Sequence, residues 1–135
     1  LSNASSNVTL GSKNTHTYTI VDNDSRPTIQ FNSTASNGYE STTSVNLALA
    51  LSGAASSEVF VDYAVTGGTA TGGGTDYTLA SGTATISAGA TSANIALTVT
   101  NDNGSEDAET VIVTLSSPSN YATLGANDTH TYTIN

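Results

Sequence analysis

Apolar and polar residues alternate with a period of two along most of the chain beyond residue 28. Val45, Leu47, Leu49 and Leu51 form one such run; Val59, Val61, Tyr63 and Val65 a second; Ala93, Ile95, Leu97 and Val99 a third; Val111, Val113 and Leu115 a fourth. Side chains on a strand point to opposite faces in turn, so each run predicts a strand with one face buried. Ile29/Phe31, Ala84/Ile86 and His130/Tyr132/Ile134 add about three shorter strands. Turn signals separate them: Asn37-Gly38, Ser52-Gly53, the segment from Gly67 to Gly74, Ala88-Gly89 and Asn103-Gly104. No stripe of helical period interrupts the pattern. About seven short strands with short connections predict an antiparallel β-sandwich. A disordered Ser/Thr tract is the competing reading, but a chain that buries nothing has no use for such alternation.

Internal similarity divides the chain. Residues 1–20 align without gaps on residues 115–134, and twelve of the twenty positions are identical. Thr15-His16-Thr17-Tyr18-Thr19-Ile20 repeats as Thr129-His130-Thr131-Tyr132-Thr133-Ile134, with Thr9-Leu10-Gly11 matching Thr123-Leu124-Gly125 upstream. Residues 1–24 therefore read as the closing strand and linker of a preceding repeat, and residues 25–135 as one nearly whole repeat. The chain opens on Leu1 without Met, and the expected parent is a longer tandem array.

Composition narrows the chemistry. The chain has 135 residues, of which 43 are Ser or Thr, and only 10% are charged. Eleven acids face only Lys13 and Arg26, for a net charge of −9. Phosphate neutralisation needs clustered bases, so nucleic-acid binding is not expected, nor is attachment to an anionic membrane. No apolar run is long enough to span a bilayer, so membrane insertion is not expected either. With no Cys there are no disulfides, thiol nucleophiles or Cys-based zinc sites.

The acids are not scattered. Asp22 and Asp24 follow the first Thr-Tyr-Thr-Ile, Glu40 lies in a loop before a strand, Asp76 follows the glycine segment, and Asp102, Glu106, Asp107 and Glu109 crowd one turn. Alternate loops of a sandwich gather at one end, which brings carboxylates remote in sequence to one place. Crowded carboxylates repel, and a hard cation neutralises them. Ca2+ accepts six to eight oxygens in loose geometry and is preferred here over Mg2+, which demands a strict octahedron. Solvated turn acids are the plain alternative.

These residues resemble the Calx-beta domain family. Tyr39-Glu40, Gly68-Thr69-Ala70 followed by Gly74-Thr75-Asp76-Tyr77, Asn101-Asp102 with Glu106 and Glu109 ahead of Val111-Ile112-Val113-Thr114-Leu115, Thr123-Leu124-Gly125, and the closing Tyr-Thr-Ile with Asp22-Asn23-Asp24 carry the likeness in their order and spacing. The resemblance implies an all-β, immunoglobulin-like Greek-key sandwich with Ca2+ at one apex. It also implies Glu40, Asp76, Asp102, Glu106 and Glu109 as ligands, with Asp22 and Asp24 serving the preceding repeat's site. Asn101, Ser105 and Ala108 stand where relatives carry acids, so one or two ions at most are expected, or none in a chain that ends at Asn135 without the acidic motif after its last strand.

Other chemistries are weaker. The glycine segment lacks the Gly-Lys-Ser/Thr ending of a phosphate loop and reads as a flexible connection. His16 and His130 read as strand packing. No Gly-x-Ser-x-Gly elbow is present, and Glu106 with Glu109 as a glycosidase pair would have no Trp to hold a sugar. The expected role is non-enzymatic: a Ca2+-binding structural repeat of an extracellular or cell-surface adhesin or stalk, its partners the neighbouring repeats or like subunits and a surface or matrix ligand. The alternatives are a regulatory Ca2+ sensor and a filament subunit that adds its N-terminal strand to a neighbour's sheet edge.

Overall fold

The computed structural model describes residues 1–21, 23 and 25–135. The described residues form ten strands and no helix: β1 (Thr28–Phe31), β2 (Ala35–Gly38), β3 (Ser44–Leu51), β4 (Val59–Gly68), β5 (Tyr77–Thr78), β6 (Gly82–Ile86), β7 (Ser92–Val99), β8 (Glu109–Ser116), β9 (Thr123–Leu124) and β10 (Thr129–Ile134). They make two five-stranded sheets, ordered β5-β7-β3-β1-β9 and β2-β10-β8-β4-β6. All seven strands expected from periodicity are present. The three additional ones, β2, β5 and β9, are two to four residues long and carry little or no apolar alternation. Pairing is antiparallel except where β9 runs parallel to β1 and β2 runs parallel to β10.

Alternation decides what lies between the sheets. Ile29, Phe31, Leu47, Leu49, Ile95, Leu97 and Val99 come from one sheet, and Val59, Val61, Ile86, Val111, Val113, Leu115, Tyr132 and Ile134 from the other; all are buried. Fully burying an aliphatic or aromatic side chain stabilises by about 1.5–3 kcal/mol, so this interior holds the sheets face to face. Hydroxyls cover the outer face, where Thr66 and Thr114 hydrogen-bond across β4 and β8 at 2.7 Å, and Thr83 Oγ1 donates to Asp62 at 2.7 Å. Such cross-strand pairs supply the local support that charged pairs give on other sheets.

His130 is the buried polar residue of this core. Nδ1 lies 2.6 Å from the Ser33 carbonyl, which can only accept, so Nδ1 carries the proton and Nε2 accepts from the Ser36 hydroxyl at 2.8 Å. The ring tilts against Phe31, with centroids 5.4 Å apart. Packing is thus the role of His130, as its place in the strand pattern indicates.

Thr15–Ile20, expected to be the closing strand of a preceding repeat, forms no strand against this domain. Residues 1–21 contain no strand and are exposed throughout. The physical reason is that a strand without ladder partners leaves its backbone to water and gains nothing from alternation. The place between β2 and β8 that the same six residues take at the other end of the chain is already filled by β10.

One backbone feature shapes the end of the sandwich where the acids lie. The β4–β8 register shifts between Val65 and Gly67, and Gly68 follows at φ 119°. A methyl group there would run into the Thr110 carbonyl oxygen. Thr69 and Ala70 N–H both donate to that oxygen, at 2.9 and 3.0 Å, while Thr110 N–H donates to Thr69 Oγ1 at 2.9 Å. This clamp ties the start of the glycine loop to the residue after Glu109. Gly68→Ala combines a strained φ with a backbone clash and is expected to lower the unfolding free energy by about 2–3 kcal/mol. Denaturant unfolding checks this; a loss below about 0.5 kcal/mol would mean that the clamp gives way without cost.

Candidate metal centre

Three connections meet at one pole: β2–β3 with Glu40, β4–β5 with Asp76, and β7–β8 with Asp102, Glu106 and Asp107, next to Glu109 at the start of β8. They meet because β3, β5 and β8 all start from this pole while β4 and β7 end there. The chain also leaves β10 here, where Asn135 N–H donates to Gly38 C=O at 2.9 Å and Glu40 N–H donates to Asn135 C=O at 3.3 Å.

Asp76 is placed by its own loop. Its Oδ2 accepts from Thr71 N–H, its N–H donates to Thr71 C=O at 3.0 Å, and its C=O accepts from Thr100 N–H at 2.8 Å. Thr100 Oγ1 adds a bond to Gly74 C=O at 3.1 Å. The glycine segment, expected to be a flexible connection, is therefore cross-tied at both ends. Asp102 Oδ1 accepts from Gly104 N–H at 2.6 Å, a local turn that shapes the β7–β8 connection.

One oxygen each from Asp76, Glu106 and Glu109 lie within 4.8 Å of one another. For three atoms within that limit, a point exists no more than about 2.8 Å from all of them, which admits a cation at the Ca–O distance of roughly 2.3–2.6 Å. The donor set is all oxygen, with Asp76 and Glu109 half-buried and Glu106 exposed. It suits a hard, large cation.

The electrostatics carry the same message. The neighbouring Asp102 charge raises the Glu106 carboxyl above its ordinary 4.5, helped by partial desolvation and then by Asp76 and Glu40. Glu109 is also raised above 4.5, first by a hydrogen bond shared with Asp76, then by desolvation and the charges of Asp76, Glu106 and Glu40. Without a cation, Glu109 holds a proton more readily than a free carboxyl so that Asp76 can accept it.

Of the residues expected to be ligands, Asp76, Glu106 and Glu109 thus form a tight triad. Glu40 and Asp102 stand outside that spacing but close enough for their charges to raise Glu106. Asp22 and Asp24 lie outside the described residues. Sequence reasoning missed the supporting parts, namely the Gly68–Thr110 clamp and the Thr71 and Thr100 bonds that seat Asp76. The Gly67-Gly68 pair ending a strand was the available signal for the first; backbone bonds from Thr leave none.

The Calx-beta domain family model matches residues 22–135. The chain is similar to the crystal structure of the apo-form Calx CBD1 domain, with 22% identity, 82% of this chain and 96% of that one covered, and a TM-score of 0.74. It is similar to CBD12 from CALX1.2 with 22% identity, covering 79% of this chain and 43% of that one at a TM-score of 0.73. The calcium binding domain CBD12 of CALX1.1 gives 22%, 79% and 44%, and again 0.73. The chain thus spans less than half the length of the CBD12 structures. No curated protein sequence matches it. The structural likeness concerns the sandwich, and with the family model running through both sheets and all three acidic connections, the chain belongs to the Calx-beta domain family.

Proposed function

We propose that this domain binds Ca2+ through Asp76, Glu106 and Glu109, with Glu40 and Asp102 completing the charge around the ion, and that it serves as a non-enzymatic structural repeat of an extracellular or cell-surface adhesin or stalk. The carrying observation is the oxygen triad of Asp76, Glu106 and Glu109, all within 4.8 Å of one another. The likeness to the calcium binding domain CBD12 of CALX1.1 supports the choice of ion. What the ion would supply is positive charge that removes the mutual repulsion of the carboxylates.

The junction role rests on where the chain runs. It reaches β1 at the opposite pole, where Thr28 N–H donates to Ser52 Oγ at 2.9 Å, and finishes β10 beside Glu40. Units so traversed stack end to end. In the internal alignment Val21 matches Asn135, so Asp22 and Asp24 follow in sequence the point at which a repeat's last strand ends. An ion shared by loops and linker would fix the angle between neighbouring repeats. The sparse Lys and abundant Ser and Thr accord with a secreted chain, and the expected partners are adjoining repeats and a surface or matrix ligand.

At Ca2+ about 100 times its dissociation constant, binding stabilises by roughly 2.7 kcal/mol, which for a domain of this size raises Tm by about 10 °C. Calorimetric titration of Ca2+ into chelator-treated protein, with a parallel thermal melt, tests this; no heat and an unchanged Tm at millimolar Ca2+ would end the metal reading. Glu109→Gln is expected to weaken Ca2+ binding tenfold or more, about 1.4 kcal/mol, while leaving the chelator-treated Tm unchanged or slightly higher, because it removes repulsion.

The pH dependence has a definite sign. Glu106 and Glu109 are raised when folded, so between the ordinary value of 4.5 and their raised values the folded state binds more protons than the unfolded one. Their contribution to metal-free stability therefore rises as pH falls from neutral towards 4.5 and levels off below it. Ca2+ must displace those protons, so its affinity falls over the same window. Melts of chelator-treated wild type and Glu106→Gln across that range check the sign; identical profiles would show that Glu106 does not carry it.

A further inference from the structure

Thr15–Ile20 and β10 carry the same six side chains in opposite surroundings. In β10, His130, Tyr132 and Ile134 are 4%, 2% and 5% exposed, whereas Tyr18 and Ile20 are 80% and 85% exposed. β10 lies in a slot between β2 and β8, parallel to the first and antiparallel to the second. The slot reads this sequence in detail. His130 bonds Ser33 C=O and Ser36 Oγ, and the Tyr132 ring end occupies the space that a Cβ on Gly38 would take. The residue ahead of the hexapeptide contributes through its backbone, since Leu115 N–H donates to Asp128 C=O at 2.8 Å. Asn14 in place of Asp128 supplies that carbonyl equally. Even the side-chain bond at this step recurs, with Thr129 Oγ1 donating to Asp128 Oδ1 at 3.2 Å and Thr15 Oγ1 to Asn14 Oδ1 at 3.3 Å.

We propose that Thr15–Ile20 is a second occupant for this slot, taken up by another copy of the chain in place of that copy's own β10. The six side chains are the same residue for residue, so the contacts that β10 makes through them are open to Thr15–Ile20 as well. A seated strand also gains two ladders and a buried face, which addition to an exposed sheet edge does not offer.

Reach decides that the slot belongs to another copy. In its own domain a seated segment would put Ile20 at the acidic pole, where Ile134 ends β10, while Thr28 begins β1 at the opposite pole in the other sheet. Eight Cα steps from Ile20 to Thr28 span at most about 28 Å. The poles are about seven strand residues, roughly 24 Å, apart, and the sheets are about 10 Å apart, so even the straight line of about 26 Å runs through the filled core. A path around the outside is longer than the link. Between copies no such limit applies, and the exchange gives a closed swapped dimer or a head-to-tail chain. In the intact chain the tethered β10 competes at an effective concentration on the order of millimolar, which keeps the exchanged form minor until β10 is weakened.

The test weakens one copy of the motif and leaves the other intact, in the full chain and with chelator present so that metal plays no part. Tyr132→Ser removes the buried ring from β10 only. Light scattering is expected to give at least a doubling of mass over wild type at submillimolar protein, while Tyr18→Ser/Tyr132→Ser stays monomeric and melts below the single variant. The chain has no native Cys, so Thr17→Cys with Ile112→Cys in the Tyr132→Ser background reports the register directly. Thr131 faces Ile112 in β10, and its counterpart Thr17 is expected to form intermolecular disulfides there, seen as a ladder lost on reduction. A Tyr132→Ser variant that stays monomeric, or unfolds at the same temperature as the double variant, and yields no ladder overturns the proposal.

Discussion

Burial of two inward faces against each other is the constraint from which the other features of this domain follow. Each sheet hides one row of side chains on every strand, and Phe31, Leu47, Leu97, Val61, Val113 and Tyr132 meet in a single interior. Once those rows face each other, strand directions are set, and with them the pole at which each connection emerges. The three acid-bearing connections share a pole because β3, β5 and β8 all start from it. No direct attraction among their residues brings them there. The carboxylates in fact repel, and the core holds them together against that repulsion.

This separation of roles explains the construction of the site. The apolar interior supplies the stabilising energy and the bonds around the Gly68–Thr110 clamp and the Asp76 loop supply position, leaving the charged groups free to be electrostatically unfavourable. Glu106 and Glu109, both raised above the ordinary carboxylate value by neighbouring acids, record that unfavourable state. Arg26 is kept away, lying with Pro27, Ala54 and Tyr121 at the opposite pole. Ser and Thr replace surface charge elsewhere, and hydroxyl pairs such as Thr66 with Thr114 knit the strands without neutralising the acids.

Much of the fold was legible in the chain because a half-buried strand needs alternation and a long run of it leaves few other solutions. β3, β4, β7 and β8 are of this kind. β2, β5 and β9 were not legible, since strands of two to four residues are held by a neighbour's ladder and carry too few side chains to display a period. The acids were legible as a group, because they concentrate in connections. Their division into a close triad of Asp76, Glu106 and Glu109 and an outer pair of Glu40 and Asp102 was not, because it depends on distances across loops far apart in sequence. The bonds that tie the glycine segment down were not legible for a related reason: they come from Thr71, Thr100 and Thr110 and are set by the fold.

The two copies of Thr-His-Thr-Tyr-Thr-Ile mark the boundary between what the chain determines alone and what tertiary structure decides. Sequence by itself determines that such a segment has one face for an interior and one for water, and that a strand is the conformation able to use both. It does not determine that a strand forms. Residues 129–134 find β2 and β8 on either side and become β10, while residues 15–20, with the same side chains, lie exposed. The reason is that a strand's backbone hydrogen bonds and its buried face are both completed by other segments. Only the assembled sandwich provides them, and it provides one place.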